Sequence, residues 1–172
     1  MEWPPAPRRT GRLVLRESEG RDRAGFVELF GSAEVGAYIG GARPREELER
    51  EMPEVPGRRP GLFVVEAEGT MIGMVTLDRR DAERPEAAGQ VELGYLFLPE
   101  AWGRGYAAEA CAAVLDWFAD ARPGEPVALR TQTANDRALR LATKLGFTEV
   151  ERYEEYGAEQ WLGVRSPAAP PR

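Results

Sequence analysis

Residues 98–110 read LPEAWGRGYAAEA, a pattern that predicts the end of a strand, a turn with two glycines and the start of a helix. Gly103 and Gly105 let the backbone adopt conformations closed to other residues and approach a ligand closely. The helix start adds unpaired N–H groups and a partial positive charge. Together these features predict an anion site sized for a phosphate or pyrophosphate, although a glycine pair before a helix is also compatible with a plain structural turn.

Two established nucleotide motifs do not describe this turn. The Walker pattern requires Gly-Lys-Ser/Thr after four free positions, and no such run occurs in the sequence. The dinucleotide fingerprint requires a third glycine where this chain has Ala108, a replacement that some variants allow. The strands upstream lack the repeated strand–helix–strand pattern that should accompany that fingerprint, so this interpretation is weak.

Outward from this stretch, periodicity and turn residues predict an α+β chain without repeats. The clearest helix is residues 106–121, whose apolar side chains form one stripe. Strands on both sides of this helix predict one parallel pair with a right-handed crossover, within an otherwise mostly antiparallel sheet. Strands are predicted at residues 12–16, 62–66, 71–77, 91–98, 127–131, 147–153 and 160–164. Helices are predicted at residues 44–52, 106–121 and 136–145, and residues 21–39 show a helical spacing interrupted near Gly31 and Gly36.

The size and composition suit one globular domain. The chain has 172 residues, of which 42% are hydrophobic and 30% charged. We expect a domain over residues 10–165, with the proline-rich ends, residues 1–9 and 166–172, disordered. No apolar run suits a membrane helix, and the first residues lack the apolar centre of a secretory signal. Cys111 is the only cysteine, which excludes an intramolecular disulfide and favours a cytoplasmic location.

Histidine is absent from the sequence, which restricts the possible chemistry. The absence excludes Ser-His and Cys-His nucleophilic systems and removes the commonest zinc ligand, so we expect no metal. A general base must then be a carboxylate, a tyrosine, a lysine of shifted pKa or an ordered water. The formal net charge of -6 argues against a nucleic-acid partner and suits a cationic substrate, although an ordinary acidic surface also explains it.

Several spaced segments resemble one family, the GNAT N-acetyltransferases. The family signature, Gln/Arg-x-x-Gly-x-Gly/Ala, is matched by residues 102–107, with Gly105 and Ala107 in the fixed positions. Trp102 replaces the leading Gln/Arg, which is similar to the branch of the ribosomal-protein-alanine acetyltransferases (RimJ/RimL type). Further matches are residues 12–16 and 91–95, Asn135 before a helix, and residues 144–147 at the end of that helix.

The resemblance covers residues 10–165 and implies a GNAT-like single domain. It implies a central mixed, mostly antiparallel sheet of about seven strands, splayed at a cofactor cleft and flanked by about four helices. It also implies that acetyl-CoA places its pyrophosphate on the loop backbone and its pantetheine along the preceding strand, like an added strand. Asn135 is equally suited to cap a helix. The implied cofactor-binding residues are Leu96, Phe97, Leu98, Gly103, Arg104, Gly105, Tyr106, Ala107 and Asn135.

Attack on a thioester requires a neutral amine, so the acceptor must lose a proton. The first candidate for the base is Glu92, because the resembling branch often carries an acidic residue before Gly-Tyr on this strand; the alternative is a surface glutamate. Asp78 and Glu66 on neighbouring strands are held in reserve.

The general acid is less well defined by the resemblance. Many relatives carry a tyrosine at the position of Ala142. Tyr153 and Tyr156 are phenols nearby in the sequence, and water could also serve. Tyr95 and Trp102 are expected to be wall or core residues.

The implied function is transfer of an acetyl group from acetyl-CoA to a primary amine, either a protein N-terminus or a small molecule, by direct attack on the thioester. The alternative is a catalytically silent acyl-CoA-binding module of the same fold. The expected partners are acetyl-CoA and the amine, without nucleic acid or membrane; a homodimer is compatible, but the sequence does not fix the oligomeric state. Residues 31–45 and 78–90 are expected to line the acceptor pocket and carry no motif.

Overall fold

The computed structural model of the protein describes residues 5–79 and 90–166. In this part of the chain there are eight strands and five α-helices. The strands are β1 (Arg8–Arg9), β2 (Leu13–Arg16), β3 (Leu62–Ala67), β4 (Thr70–Arg79), β5 (Val91–Phe97), β6 (Val127–Gln132), β7 (Thr148–Glu155) and β8 (Ala158–Arg165). The helices are α1 (Arg23–Gly31), α2 (Ala33–Gly36), α3 (Arg45–Glu51), α4 (Tyr106–Ala121) and α5 (Asp136–Lys144).

All eight strands belong to one sheet in the order β1-β2-β3-β4-β5-β6-β8-β7. The pairs β1–β2, β2–β3, β3–β4, β6–β8 and β7–β8 are antiparallel, whereas β5 and β6 are parallel. The predicted α+β class, the mixed sheet and the parallel pair around α4 are therefore confirmed. The parallel pairing joins Val91 to Val127 and Glu92 to Ala128, after which β5 continues to Phe97.

Two differences from the sequence prediction have local causes. Arg8 and Arg9, expected in a disordered end, pair with Leu15 and Val14 and add an eighth strand. The interruption expected near Gly31 falls at Ser32, whose extended backbone ends α1 and whose hydroxyl accepts a hydrogen bond from the Val35 N–H, 3.2 Å away. That cap starts α2 and accounts for the fifth helix. Residues 80–89, most of the expected acceptor loop, lie outside the described residues.

Backbone contacts group the chain into two compact units. The N-terminal unit comprises Glu2–Thr76 and Tyr95–Ala113, and the C-terminal unit comprises Leu77–Gly94 and Val114–Arg172. Because β5 and α4 each contribute residues to both units, one domain over residues 10–165 stays a prediction. The N-terminal unit has a buried core of Phe26, Leu29, Leu62, Val64, Met71 and Leu98. In the C-terminal unit the buried side chains include Val127, Leu129, Ala142, Trp161 and Leu162.

Candidate active site

The turn between β5 and α4 has the geometry that its glycines predict. Gly103 and Gly105 have φ angles of 77° and 78°, in the left-handed region that favours glycine. The first backbone bond of α4 runs from the Glu109 N–H to the Gly105 carbonyl, at 3.1 Å. The N–H groups of Tyr106, Ala107 and Ala108 precede that bond and so have no acceptor within the helix. The turn therefore presents backbone donors at the positive end of a helix of 16 residues.

The space around the two glycines differs. A β-carbon placed on Gly103 would meet no other atom within 4 Å, so this position is open. A β-carbon on Gly105 would lie 3.4 Å from Nη2 of Arg12. The backbone conformation favours glycine at both positions, and at Gly105 a β-carbon would be in ordinary van der Waals contact with the Arg12 guanidinium. The Arg104 side chain is exposed, so its backbone is the part of this residue that belongs to the turn.

Trp102 ties this turn to the strand before it. Its indole Nε1–H donates to the Phe97 carbonyl oxygen at 2.8 Å. The sequence predicted a wall or core role for this half-buried residue and missed the hydrogen bond. The N–H of Leu98 donates to the carbonyl of Ile72 at 2.9 Å. Two of the backbone groups that the sequence assigned to the cofactor are thus engaged within the protein.

The backbone groups of successive residues point to opposite edges of a strand, and this alternation shows which groups of β5 do not face β4. A β-carbon on Gly73 would lie 2.5 Å from the Leu96 carbonyl oxygen, so Leu96, like Leu98, directs its backbone towards β4. Tyr95 and Phe97 therefore direct theirs to the opposite edge. Among the described residues, the β6 pairing on that edge covers Val91 and Glu92 only. Tyr95 and Phe97 thus carry the backbone groups suited to an added extended chain.

Glu92 belongs to the C-terminal unit and faces an arginine. Its carboxylate lies 3.5 Å from Nη2 of Arg130, and the two side chains are 15% and 11% exposed. Glu92 is therefore mostly shielded from solvent and ion-paired, and its role as the base stays a prediction. Nη1 of Arg130 donates to the Tyr153 hydroxyl at 3.3 Å. Burial alone would lower the pKa of the Arg130 guanidinium, but the Tyr153 hydrogen bond and the charges of Glu92 and Glu155 outweigh it and raise that pKa.

The strand registers explain why these three side chains meet. Glu92 pairs with Ala128, Arg130 pairs with Leu162, and Tyr153 pairs with Gln160. Residues paired in register, and residues two apart on a strand, point to the same face of a sheet. Glu92, Arg130 and Tyr153 therefore share one face, although they come from β5, β6 and β7.

The two reserve bases, Glu66 and Asp78, have different surroundings. Glu66 forms ion pairs with Arg16 at 3.2 Å and Arg21 at 3.0 Å, in a cluster where Arg16 also binds the buried Asp22 at 2.7 Å. Its carboxylate thus forms two ion pairs within the N-terminal unit. Asp78 is half-buried on β4 and stays a reserve candidate.

Among the candidate phenols, Tyr153 is connected to Glu92 through Arg130. Tyr156 is 85% exposed. Burial raises the pKa of the Tyr95 phenol, which makes it a weaker acid. Ala142, at the position of the relatives' tyrosine, is fully buried. Burial also raises the pKa of the Cys111 thiol, so this cysteine is unsuited to act as a nucleophile.

Asn135 performs the capping role that the sequence allowed. Its Oδ1 accepts a hydrogen bond from the Ala138 N–H at 3.2 Å, at the start of α5. Its amide Nδ2 donates to no acceptor within the described ranges. Capping and cofactor binding are therefore compatible, since they use different atoms of one side chain.

Over residues 5–79 and 90–166, no cluster of three or more Cys, Asp or Glu side chains is suited to hold a metal ion. No helix in the described ranges is both long enough and apolar enough to cross a bilayer.

Comparison with known proteins gives one family. A family model for the acetyltransferase (GNAT) domain matches residues 12–148. The uncharacterized protein YkkB of Bacillus subtilis is 30% identical over 144 residues, which cover 80% of this chain and 82% of YkkB.

Solved structures of low sequence identity share the fold. A GNAT-family acetyltransferase from Bacillus anthracis matches with a TM-score of 0.76 and 18% identity, over 94% of this chain and 98% of that one. RimL, a ribosomal alpha-N-protein acetyltransferase solved with coenzyme A, matches with a TM-score of 0.71 and 15% identity, over 91% and 95%. At these identities the likeness shows the fold alone. Because the family model covers most of the chain, the protein belongs to the GNAT acetyltransferase family.

Proposed function

We propose that this protein transfers an acetyl group from acetyl-CoA to a primary amine. The observation that carries the proposal is the turn at Gly103 and Gly105, which leads into the unpaired N–H groups at the start of α4. Such a site binds phosphate through backbone donors and the helix dipole, without a divalent cation. RimL, which shares the fold, was solved with coenzyme A.

The residues of the turn fit a diphosphate. Gly103 is exposed, and a β-carbon there would have no neighbour within 4 Å. The N–H groups of Tyr106 and Ala107 lack helical acceptors and carry the positive end of the helix dipole. We assign the diphosphate of acetyl-CoA to the backbone of Gly103, Arg104, Gly105, Tyr106 and Ala107.

The pantetheine arm is assigned to the free edge of β5. An extended chain adds to a sheet edge by hydrogen bonds with alternate residues of the edge strand. The alternation described above favours the N–H and carbonyl of Tyr95 and the N–H of Phe97. Leu96 and Leu98 would then contribute side-chain contacts, because their backbones face β4.

Asn135 provides the first prediction, because a substitution can separate its two roles. Serine caps helices well but lacks the amide donor, whereas alanine lacks both. We expect Asn135→Ala to lower the free energy of unfolding by about 1 kcal/mol. Both variants should weaken CoA binding equally, by about fivefold for one lost neutral hydrogen bond. Thermal denaturation and calorimetric titration with CoA measure the two effects. Wild-type affinity in Asn135→Ser would leave Asn135 as a cap only.

Glu92 is proposed as the group that accepts the proton of the acceptor amine. A neighbouring guanidinium stabilises the ionised carboxylate, which is the form that binds an ammonium or accepts a proton. Glu151 and Glu155 are half-buried on the same face of β7 as Tyr153. On β5 to β8, the described residues of this face include the carboxylates of Glu92, Glu151 and Glu155 and the guanidinium of Arg130, and such acidic residues suit a cationic acceptor. The thioester supplies the activated acetyl group, and the protein orients the amine and removes its proton.

The second candidate function is a silent acyl-CoA-binding module. Ala142 favours it, because this fully buried position has no phenol for a leaving thiolate. We nevertheless prefer catalysis, since CoA thiolate is a modest base that water can protonate. Tyr153 is also placed with Glu92 through Arg130.

A panel of amines tests the proposed function. We expect acetyl-CoA, but not NAD or ATP, to raise the thermal midpoint of the protein, because ligands that bind only the folded state stabilise it. We also expect CoA release with at least one class of primary amine, among polyamines, aminoglycosides and peptides with a free N-terminus. A thiol-reactive dye measures the release, with and without a chelator. Stabilisation without CoA release from any amine would favour the silent module, and stabilisation by NAD or ATP alone would contradict the proposal.

A further inference from the structure

Three hydrogen-bond donors near the start of β2 bind the carboxylate of Glu109, in the first turn of α4. Nε of Arg12 binds Oε1 of Glu109 at 2.8 Å, and the Arg12 backbone N–H donates to Oε2 at 3.1 Å. The Thr10 hydroxyl also donates to Oε2. The hydrogen bond from the Thr10 hydroxyl lowers the pKa of the Glu109 carboxyl below its ordinary value. The two hydrogen bonds from Arg12 act in the same direction. Glu109 is thus a fixed anion whose hydrogen bonds orient Arg12.

The same guanidinium also contacts the glycine turn. Its Nη1 donates to the carbonyl oxygen of Arg104 at 2.8 Å. Its carbon lies 4.3 Å from the centre of the Tyr106 ring, over the ring face, in a cation–π contact. Arg12 therefore touches the turn before Gly105, the first residue of α4 and the residue one turn later. A side chain held at three points has little freedom left to lose on binding.

One nitrogen of Arg12 remains available. Nη2 has no acceptor among the residues that the structure describes, and it lies 3.4 Å from where a β-carbon on Gly105 would stand. The side chain is 46% exposed, so a ligand can reach it. A guanidinium offers several donors in a rigid plane and suits phosphate oxygens. Here Nε and Nη1 are used by the protein, and Nη2 stands at the turn.

We propose that Arg12, oriented by Glu109 and Thr10, is a cofactor-binding residue that donates from Nη2 to the diphosphate of the acyl-CoA. The proposal rests on the proposed function, since it concerns the same turn. Glu109 is a positioning residue that acts through Arg12. A carboxylate beside an anion site would by itself repel the ligand, so its presence here is explained by the arginine that it holds.

The sign of the Glu109→Gln effect tests the proposal. If Glu109 acted only through its charge, its neutralisation would tighten CoA binding. If it positions Arg12, Glu109→Gln weakens CoA binding, by about threefold to fivefold for a weakened charge-assisted bond. We expect Arg12→Met to weaken it by about tenfold, through the loss of one charge-assisted hydrogen bond. Glu109→Gln should have no further effect in the Arg12→Met background, because the two residues act as one group.

Titration calorimetry with CoA measures these affinities, with Arg50→Met as the matched control because Arg50 is exposed on α3, away from the turn in sequence. Pantetheine, which lacks phosphates, serves as a second ligand, and its binding is followed by thermal shift. Wild type and Arg12→Met should respond equally to it. Arg12→Lys keeps the charge without the planar fork and supplies the measurement if Arg12→Met fails to fold.

Three outcomes would overturn the proposal. The first is wild-type CoA affinity in the Arg12 variants, and the second is equal loss of CoA and pantetheine binding with a lower thermal midpoint, which would mark a structural role. The third is tighter CoA binding in Glu109→Gln. Failure of the wild-type protein to bind CoA would instead refute the proposed function, and this proposal with it.

Discussion

Glu92→Gln is expected to lower kcat by on the order of 10² to 10⁴ at saturating amine and acetyl-CoA, the usual effect of removing a general base. Glutamine keeps the shape of glutamate and can still accept a hydrogen bond from Arg130, so the fold should be preserved. The CoA dissociation constant should stay near the wild-type value, because Glu92 is not among the residues assigned to the diphosphate.

Steady-state kinetics with the best amine of the panel, together with calorimetry for CoA, measures this prediction. The matched control is Glu154→Gln, which removes the same charge from an exposed position on β7. A loss confined to the amine KM would identify Glu92 as an ammonium-binding group, with water as the base. Full activity at every amine concentration would show that Glu92 takes no part, and Asp78 would be the next residue to test.

The parts of the fold that depend on local sequence could be predicted well. The bounds of α4, residues 106–121, match the predicted helix because an apolar stripe and a glycine turn mark its start, and Arg122-Pro123-Gly124 marks its end. The turn itself was predicted from Gly103 and Gly105, whose left-handed backbone only glycine adopts easily. The break between α1 and α2 was predicted near Gly31 from the interrupted helical spacing, whereas the Ser32 cap that begins α2 is a weaker sequence signal.

Contacts between distant residues could not be predicted from the sequence. Tyr153 lies on the same face as Glu92 because β5, β6, β8 and β7 pair in a defined register. A shift of one residue would turn Tyr153 to the other face. The hydrogen bond from Arg12 to Glu109 connects residues that are 97 positions apart. The ion pairs of Glu66 with Arg16 and Arg21 also connect residues that are distant in the sequence.

Gly105→Val is expected to weaken CoA binding by on the order of a hundredfold or more while the protein stays folded. The φ angle of Gly105 is 78°, where a non-glycine residue costs about 1–2 kcal/mol. A β-branched side chain would also press on Nη2 of Arg12, which lies 3.4 Å from the β-carbon position. Both effects displace the donors of the turn, and each charge-assisted bond to a phosphate is worth about 1.5–3 kcal/mol, so two lost bonds suffice for this effect.

Gly124→Val is the matched control for backbone strain. Gly124 also has a positive φ angle, 83°, and lies on the turn after α4 with nothing within 4 Å of its β-carbon position. Both variants should lose a similar amount of stability in thermal denaturation, because both force valine into the left-handed region. CoA affinity, measured by calorimetry on the folded proteins, should fall only for Gly105→Val. Equal CoA affinities in the two variants would place the diphosphate away from this turn and would remove the observation on which the proposed function depends.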